Sequence, residues 1–226
     1  METFFIVFVS KCKNVFYICN MDMKKMEFLG QALQIYMQLG IKSITMDELA
    51  RQLGMSKKTI YTFVKDKNDL VEQCILLAQQ VEECEIKEIS EQQENAIDEL
   101  LTVGELVANR LRNVHPSIFF DLQKYHPKAY KMMNCTRDEL ITNIVISNFI
   151  KGKKQGLYRE NLDENIIAKM YLSFIDVLFR GEVFPSTQYS FIQVYSEYFR
   201  YHIRGIASDK GLKYLQKIMQ TKKFDI

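Results

Sequence analysis

At 226 residues the chain is long enough for one large domain or two smaller ones around a sizeable core. Hydrophobic residues make up 47% and charged residues 26%, an ordinary globular balance, while nine glycines and three prolines are too few turn-formers for a many-stranded fold, so the expected class is all-α. A formal charge of +2 selects no partner by its size. Its distribution is more informative: from Arg51 to Lys67 five cations (Arg51, Lys57, Lys58, Lys65, Lys67) face one acid, Asp66, and from Glu82 to Glu105 nine acids face one cation, Lys87. A basic tip on an acidic stem suits a protein that presents one end to a polyanion.

The first twenty residues, "METFFIVFVSKCKNVFYICN", hold a six-residue apolar run. It is too short for a membrane span, which needs roughly 20 apolar residues, and it lacks the basic start of a signal peptide. Residues 1–20 therefore read as an N-terminal extension outside the fold, with Met21, Met23 and Met26 as alternative starts and no membrane partner. The five cysteines (Cys12, Cys19, Cys74, Cys84, Cys135) are odd in number and show no metal-ligand spacing, which fits reduced thiols in a cytoplasmic protein.

From Met21 the chain reads as successive helices. "KKMEFLGQALQIYMQLG" sets Phe28, Leu29, Ala32, Leu33, Tyr36 and Met37 on one face and stops at Gly40. Thr45 and Glu48 have the spacing of a capping box for a second helix that buries Met46, Leu49, Ala50 and Leu53. Gly54 ends it. Ser56 suits the N-cap of a third short helix with Ile60 and Val64 inward, leaving Lys57, Lys58, Thr59, Tyr61 and Thr62 outward. Asp66 caps a fourth helix carrying Leu70, Val71, Cys74, Ile75 and Ala78.

Two short helices joined by a glycine-containing turn have the form of a helix-turn-helix, whose second helix enters the major groove of double-stranded DNA. The tyrosine hydroxyl and the lysines suit phosphate oxygens. The stretch "ITMDELARQLGMSKKTIYTFVKDKNDLV", Ile44 to Val71, resembles the DNA-binding signature of the TetR family of bacterial transcriptional regulators. The resemblance lies in Thr45 opening the second helix, the Ala50–Gly54 spacing, Ser56-Lys57, Thr59-Ile60-Tyr61, and Lys67 before Asp69-Leu70. Lys58 stands where the family often has glycine, and Val64 where it has phenylalanine. Carried over, the likeness implies DNA-binding roles for Thr45, Ser56, Lys57, Lys58, Thr59, Tyr61 and Lys67. It also implies a helix-turn-helix domain over 21–74 and a ligand-binding and dimerisation domain over 75–226.

The remaining chain reads as the helical body of such a regulator. Pro116 and Pro127 bound a short segment, and Thr136 with Glu139 suggests a second capping box, for a helix ending at Gly152 or Gly156. In residues 166–179 the only polar residues are Lys169, Ser173 and Asp176, and in 191–206 Gln193, Glu197, Arg200 and Arg204 form a similar narrow stripe. Helices apolar nearly all round must be covered on several sides. The resemblance implies a homodimer through these two helices, with Tyr171, Leu178, Tyr195, Tyr198 and His202 at the interface.

Aromatic residues and methionines of the middle helices (Phe119, Phe120, Tyr125, Met133, Phe149, Tyr171 and Phe174, with Tyr130 and Met132) suit a pocket for a small apolar ligand. Arg110, His115 and His126 are candidates for its polar anchor. None of the three histidines, His115, His126 and His202, falls in a catalytic or metal-binding pattern, so neither enzymatic activity nor a cofactor or metal is expected. The reading is a dimeric repressor of a palindromic operator released by a small ligand. An all-helical enzyme or carrier with an incidental basic hairpin, and a protein-interaction adaptor using the acidic stem, are the alternatives. Bound cofactor without DNA affinity marks the first, and partner binding without DNA retardation the second.

Overall fold

The computed structural model describes residues 22–221, so the extension expected over 1–20 lies outside the described residues. These fold into helices α1 (Met23–Leu39), α2 (Met46–Gln52), α3 (Lys57–Phe63), α4 (Lys67–Gln92), α5 (Ala96–Arg112), α6 (Ile118–Tyr125), α7 (Pro127–Lys154), α8 (Glu164–Arg180), α9 (Phe191–Ile206) and α10 (Asp209–Thr221). No strand is present among the described residues, apart from an isolated antiparallel bridge between Tyr158 and Ala207. The all-α class is what the structure shows. No helix among the described residues is long and apolar enough to cross a membrane.

The chain forms two compact units. One holds the described residues up to Glu85 together with Val114–Arg137; the other holds Ile86–Asn113 and the chain from Asp138 onward. Residue 74, where the sequence suggested a boundary, falls within α4.

The first unit packs the inward faces of α1 to α4 with α6 and the start of α7. Phe28, Leu29, Ala32, Tyr36, Leu49, Ile60, Val64, Leu70, Cys74, Leu77, Ile118 and Leu122 are among its buried side chains. Phe28 stacks on Phe63 with ring centroids 5.4 Å apart. The periodicity of α1 and α4 predicted this face, because tertiary burial acts on the same 3.6-residue stripe that sequence spacing displays.

In the second unit α5 and α9 approach closely: a Cβ on Gly104 would lie 2.4 Å from the Phe199 ring. The acids of the 82–105 stretch read as a solvated face, but Glu99 is only 3% exposed. Lys151 Nζ donates to its Oε2 at 2.6 Å and to the carbonyl of Gln93, and Ser90 Oγ donates to Oε1 at 3.3 Å. Alongside, Tyr158 OH donates to Asn148 Oδ1 at 2.9 Å and Asn148 Nδ2 donates to the Ala96 carbonyl at 3.0 Å.

One further expectation needs correction. Thr136 and Glu139 do not open a helix, since α7 begins at Pro127 and runs through both; proline at the first helical position lacks only an N–H that would have no partner there. The helix stops at Gly156, whose φ is +67°, and not at Gly152. Of the residues expected at a subunit interface, Leu178 (1% exposed), Tyr195 (0%) and His202 (8%) are buried within the second unit. The apolar residues that α8 and α9 leave exposed are Ile166, Met170 and Tyr201.

Candidate nucleic-acid interface

Thr45 is the N-cap of α2, its Oγ1 accepting from the Glu48 amide at 3.1 Å. The expected capping box is half made: the Glu48 carboxylate is held by Arg51 at 2.6 Å and Gln52 at 2.8 Å. These hydrogen bonds, Gln52's first and then Arg51's, hold its pKa below the usual carboxylate range. After α2 the chain reverses at Gly54, whose φ is +61°; a Cβ at this position would meet no atom within 4 Å. Glycine is required there by the left-handed backbone, not by crowding. The Met55 amide donates back to the Ala50 carbonyl at 3.0 Å, closing the helix end.

Ser56 then caps α3. Its Oγ accepts from the Thr59 amide at 3.0 Å and lies 2.8 Å from Thr59 Oγ1. Ile60 is fully buried and Val64 nearly so, which anchors one face of α3 and turns Lys57, Lys58, Thr59, Tyr61 and Thr62 to solvent. The side chains of Lys58 and Tyr61 are exposed. Lys57 Nζ lies 3.0 Å from Asp47, and its hydrogen bond to that carboxylate raises its pKa. Both side chains are substantially exposed, so the pair is weak and exchangeable.

Lys67 is placed differently from a simple phosphate contact. Its ammonium donates to the carbonyls of Ile41 at 2.7 Å and Ile44 at 2.6 Å, tying the start of α4 to the α1–α2 turn. Burial lowers its pKa, partly offset by Asp121. Two carbonyls within reach of one ammonium in a half-buried site outcompete solvent for the side chain. Asp66 Oδ1 caps α4 by accepting from the Asp69 amide at 2.9 Å.

The residues expected to line one ligand pocket are divided. Phe119, Phe120, Tyr125 and Met133 belong to the first unit, and Phe149, Tyr171 and Phe174 to the second. Phe120 and Tyr125 are exposed, with Lys124 over both rings and Lys42 4.8 Å from the centroid of Tyr125. Phe149 is buried against Tyr158, and Phe174 stacks on Tyr198 at 3.5 Å. Of the suggested anchors, His126 Nδ1 is 2.7 Å from Asn68 Oδ1, and His115 Nδ1 is 2.9 Å from Ser117 Oγ. Sequence reasoning missed Asp121, a buried carboxylate in the first unit, and the acceptors Gln79 Oε1 and Asn134 Oδ1, which are buried there without a donor. A lone acid within the apolar "SIFFDLQ" was the available signal for Asp121. No cluster of three or more metal-ligating side chains occurs among the described residues.

This geometry coincides with similarity to known proteins. The profile of the family described as "Bacterial regulatory proteins, tetR family" matches residues 28–74, from within α1 to the first turns of α4. The HTH-type transcriptional regulator YvaF of Bacillus subtilis (strain 168) is 23% identical over 188 residues, spanning 80% of this chain and 95% of the relative. A transcriptional regulator from Saccharomonospora viridis in complex with choline shares the fold with a TM-score of 0.65 at 17% identity, over 82% of this chain and 98% of the other. The regulator FadR from Bacillus subtilis in complex with stearoyl-CoA does so with a TM-score of 0.61 at 18% identity, over 82% of this chain and all of the other, 100%. The helix-turn-helix with its outward polar α3 thus lies within the segment that matches the profile of the TetR family of bacterial regulatory proteins.

Proposed function

We propose that the chain acts as a homodimeric repressor that inserts α3 into successive major grooves of an inverted-repeat operator and releases it on binding a small ligand. The observation that carries this reading is the face of α3: Lys57, Lys58, Thr59 and Tyr61 are all solvent-facing on a helix whose opposite side is pinned by Ile60. Thr45 and Ser56 are N-caps whose hydroxyls stand beside the same surface, and Lys57 exchanges Asp47 for a phosphate. Exposed Ile166, Met170 and Tyr201 favour cover by a second copy of the chain. Two recognition helices related by a two-fold axis then read half-sites about one helical turn, roughly 34–36 Å, or a multiple of it apart.

For the ligand, the first unit holds half-buried Phe119, Tyr130 and Met133, and the donorless acceptors Asn134 Oδ1 and Gln79 Oε1, the latter on a side chain whose Nε2 donates to the Met133 carbonyl at 2.8 Å. An unpaired buried acceptor is destabilising by about 1–3 kcal/mol, so the ligand in this reading is largely apolar and carries a hydrogen-bond donor. The two related structures hold choline and stearoyl-CoA, each combining a polar group with alkyl carbon. Release requires differential binding: roughly 100-fold discrimination between the two states corresponds to a coupling of about 2.7 kcal/mol.

The test begins with duplexes selected from a random pool by the wild-type chain. Inverted repeats are expected. Lys57→Ala and Lys58→Ala should each weaken binding on all sequences and reduce the salt slope by about one. A Lys57, Lys58, Tyr61 triple alanine variant with wild-type affinity would end the assignment, and a monomer at micromolar concentration in sedimentation would end the dimeric form of it.

A further inference from the structure

We infer that Asp121, on α6, is a positioning residue for DNA recognition: it holds the α1–α2 turn that carries Thr45 and leads into the helix-turn-helix. This rests on the DNA-binding reading of α3 given above. Asp121 is 4% exposed. Its Oδ2 accepts from the Lys42 amide at 2.9 Å and from Ser117 Oγ at 3.1 Å. Lys42 lies three residues before Thr45, so the carboxylate grips the turn just ahead of the N-cap.

Other contacts converge on the same few residues. The His115 amide donates to the Met37 carbonyl at 2.7 Å, just before the turn. Gly40, with φ +80°, lets Ser117 in so closely that a Cβ there would lie 2.7 Å from its Oγ. From the other side, Lys67 Nζ holds the carbonyls of Ile41 and Ile44. The turn is thus fixed through its amide by an acid and through its carbonyls by a cation, and these two charges act on one another. A six-residue connection, residues 40–45, held by groups from two other segments has little freedom of its own. The turn that leads into α2 is therefore held from α6, a segment distant in sequence from the signature, as well as from α4.

The sign of the effect separates positioning from charge. Removing an acid from a DNA-binding unit should, by charge alone, tighten binding to a polyanion. Positioning predicts the reverse. With the selected duplex as probe, Asp121→Ala in the full chain should weaken binding by about tenfold or more, at an unchanged salt slope and with little change on a scrambled duplex. Asp121→Asn keeps the acceptor and should restore most of the affinity. Wild-type or tighter binding by Asp121→Ala overturns the inference. Should that variant fail to fold, Ser117→Ala decides, read with hydrogen exchange at the Lys42 amide. Faster exchange with weaker binding supports the inference; faster exchange with wild-type affinity, or unchanged exchange, overturns it. If the wild type selects no duplex the DNA-binding reading itself falls, whereas if α3 variants lose binding and Asp121→Ala does not, only the present inference falls.

Discussion

Two lysine–carboxylate pairs, one in each unit, share a chemistry and differ in almost everything else. Lys57 and Asp47 meet at 3.0 Å with side chains 47% and 75% exposed; Lys151 and Glu99 meet at 2.6 Å with side chains 28% and 4% exposed. In water the first pair gains little over its separated, hydrated partners. In the second, desolvation makes each charge dependent on the other, so the pair latches α5 to α7. The same residue types are a replaceable surface contact in one unit and a structural fixture in the other, and solvent access decides which.

The sharpest way to break this contrast is Lys151→Met. It strands the Glu99 carboxylate in the interior and should destabilise the protein by about 3 kcal/mol or more, read by urea denaturation. Adding Glu99→Leu should recover much of that loss, because two apolar side chains need no mutual charge. No recovery would mean that the latch depends on packing and not on the pair.

A second contrast is read by pH. His202, in the second unit, is stacked against Tyr198 at 5.7 Å and edge-on to Tyr171 at 5.2 Å, and burial lowers its pKa from 6.5 to about 4. The fold thus favours the neutral ring, and the unfolded chain binds the extra proton. The contribution is fully present above pH 6.5 and is lost as pH falls toward about 4, on the order of 3 kcal/mol in all. His202→Phe should flatten the stability profile across that window. In the first unit His126 adds a dependence of the same sign, its pKa lowered by burial and by Lys67.

The smallest effect is on the exposed pair. Asp47→Ala should change stability by less than about 1 kcal/mol, yet free Lys57 for phosphate and raise DNA affinity. A large stability loss would show that the surface pair is not the exchangeable contact described above.

The first unit was the more legible in the sequence because its instructions are local. Thr45, Ser56 and Asp66 cap the helices that follow them through hydrogen bonds spanning three residues, and Gly54 reverses the chain by its own φ. Ile60 and Val64 turn inward at the spacing read from the stripe. Lys67 escaped this reading because its partners, Ile41 and Ile44, lie more than twenty residues away. The body was harder for a different reason. In α8 and α9 the polar stripes were legible, but the broad apolar remainder did not separate positions covered by the chain itself, such as Leu178, from those left exposed, such as Ile166 and Met170.

By itself, then, the sequence determined the all-helical class, the caps and the outward face of α3, since hydrogen bonds over one turn and a helical period need no distant partner. Tertiary structure alone decided that Glu99 is buried against Lys151, that Lys67 serves a turn, and that Asp121 joins the first unit from a segment after α5. Each of these depends on which remote group arrives to satisfy a charge or a backbone amide removed from water. That pairing is set by packing of the whole chain, and no local pattern records it.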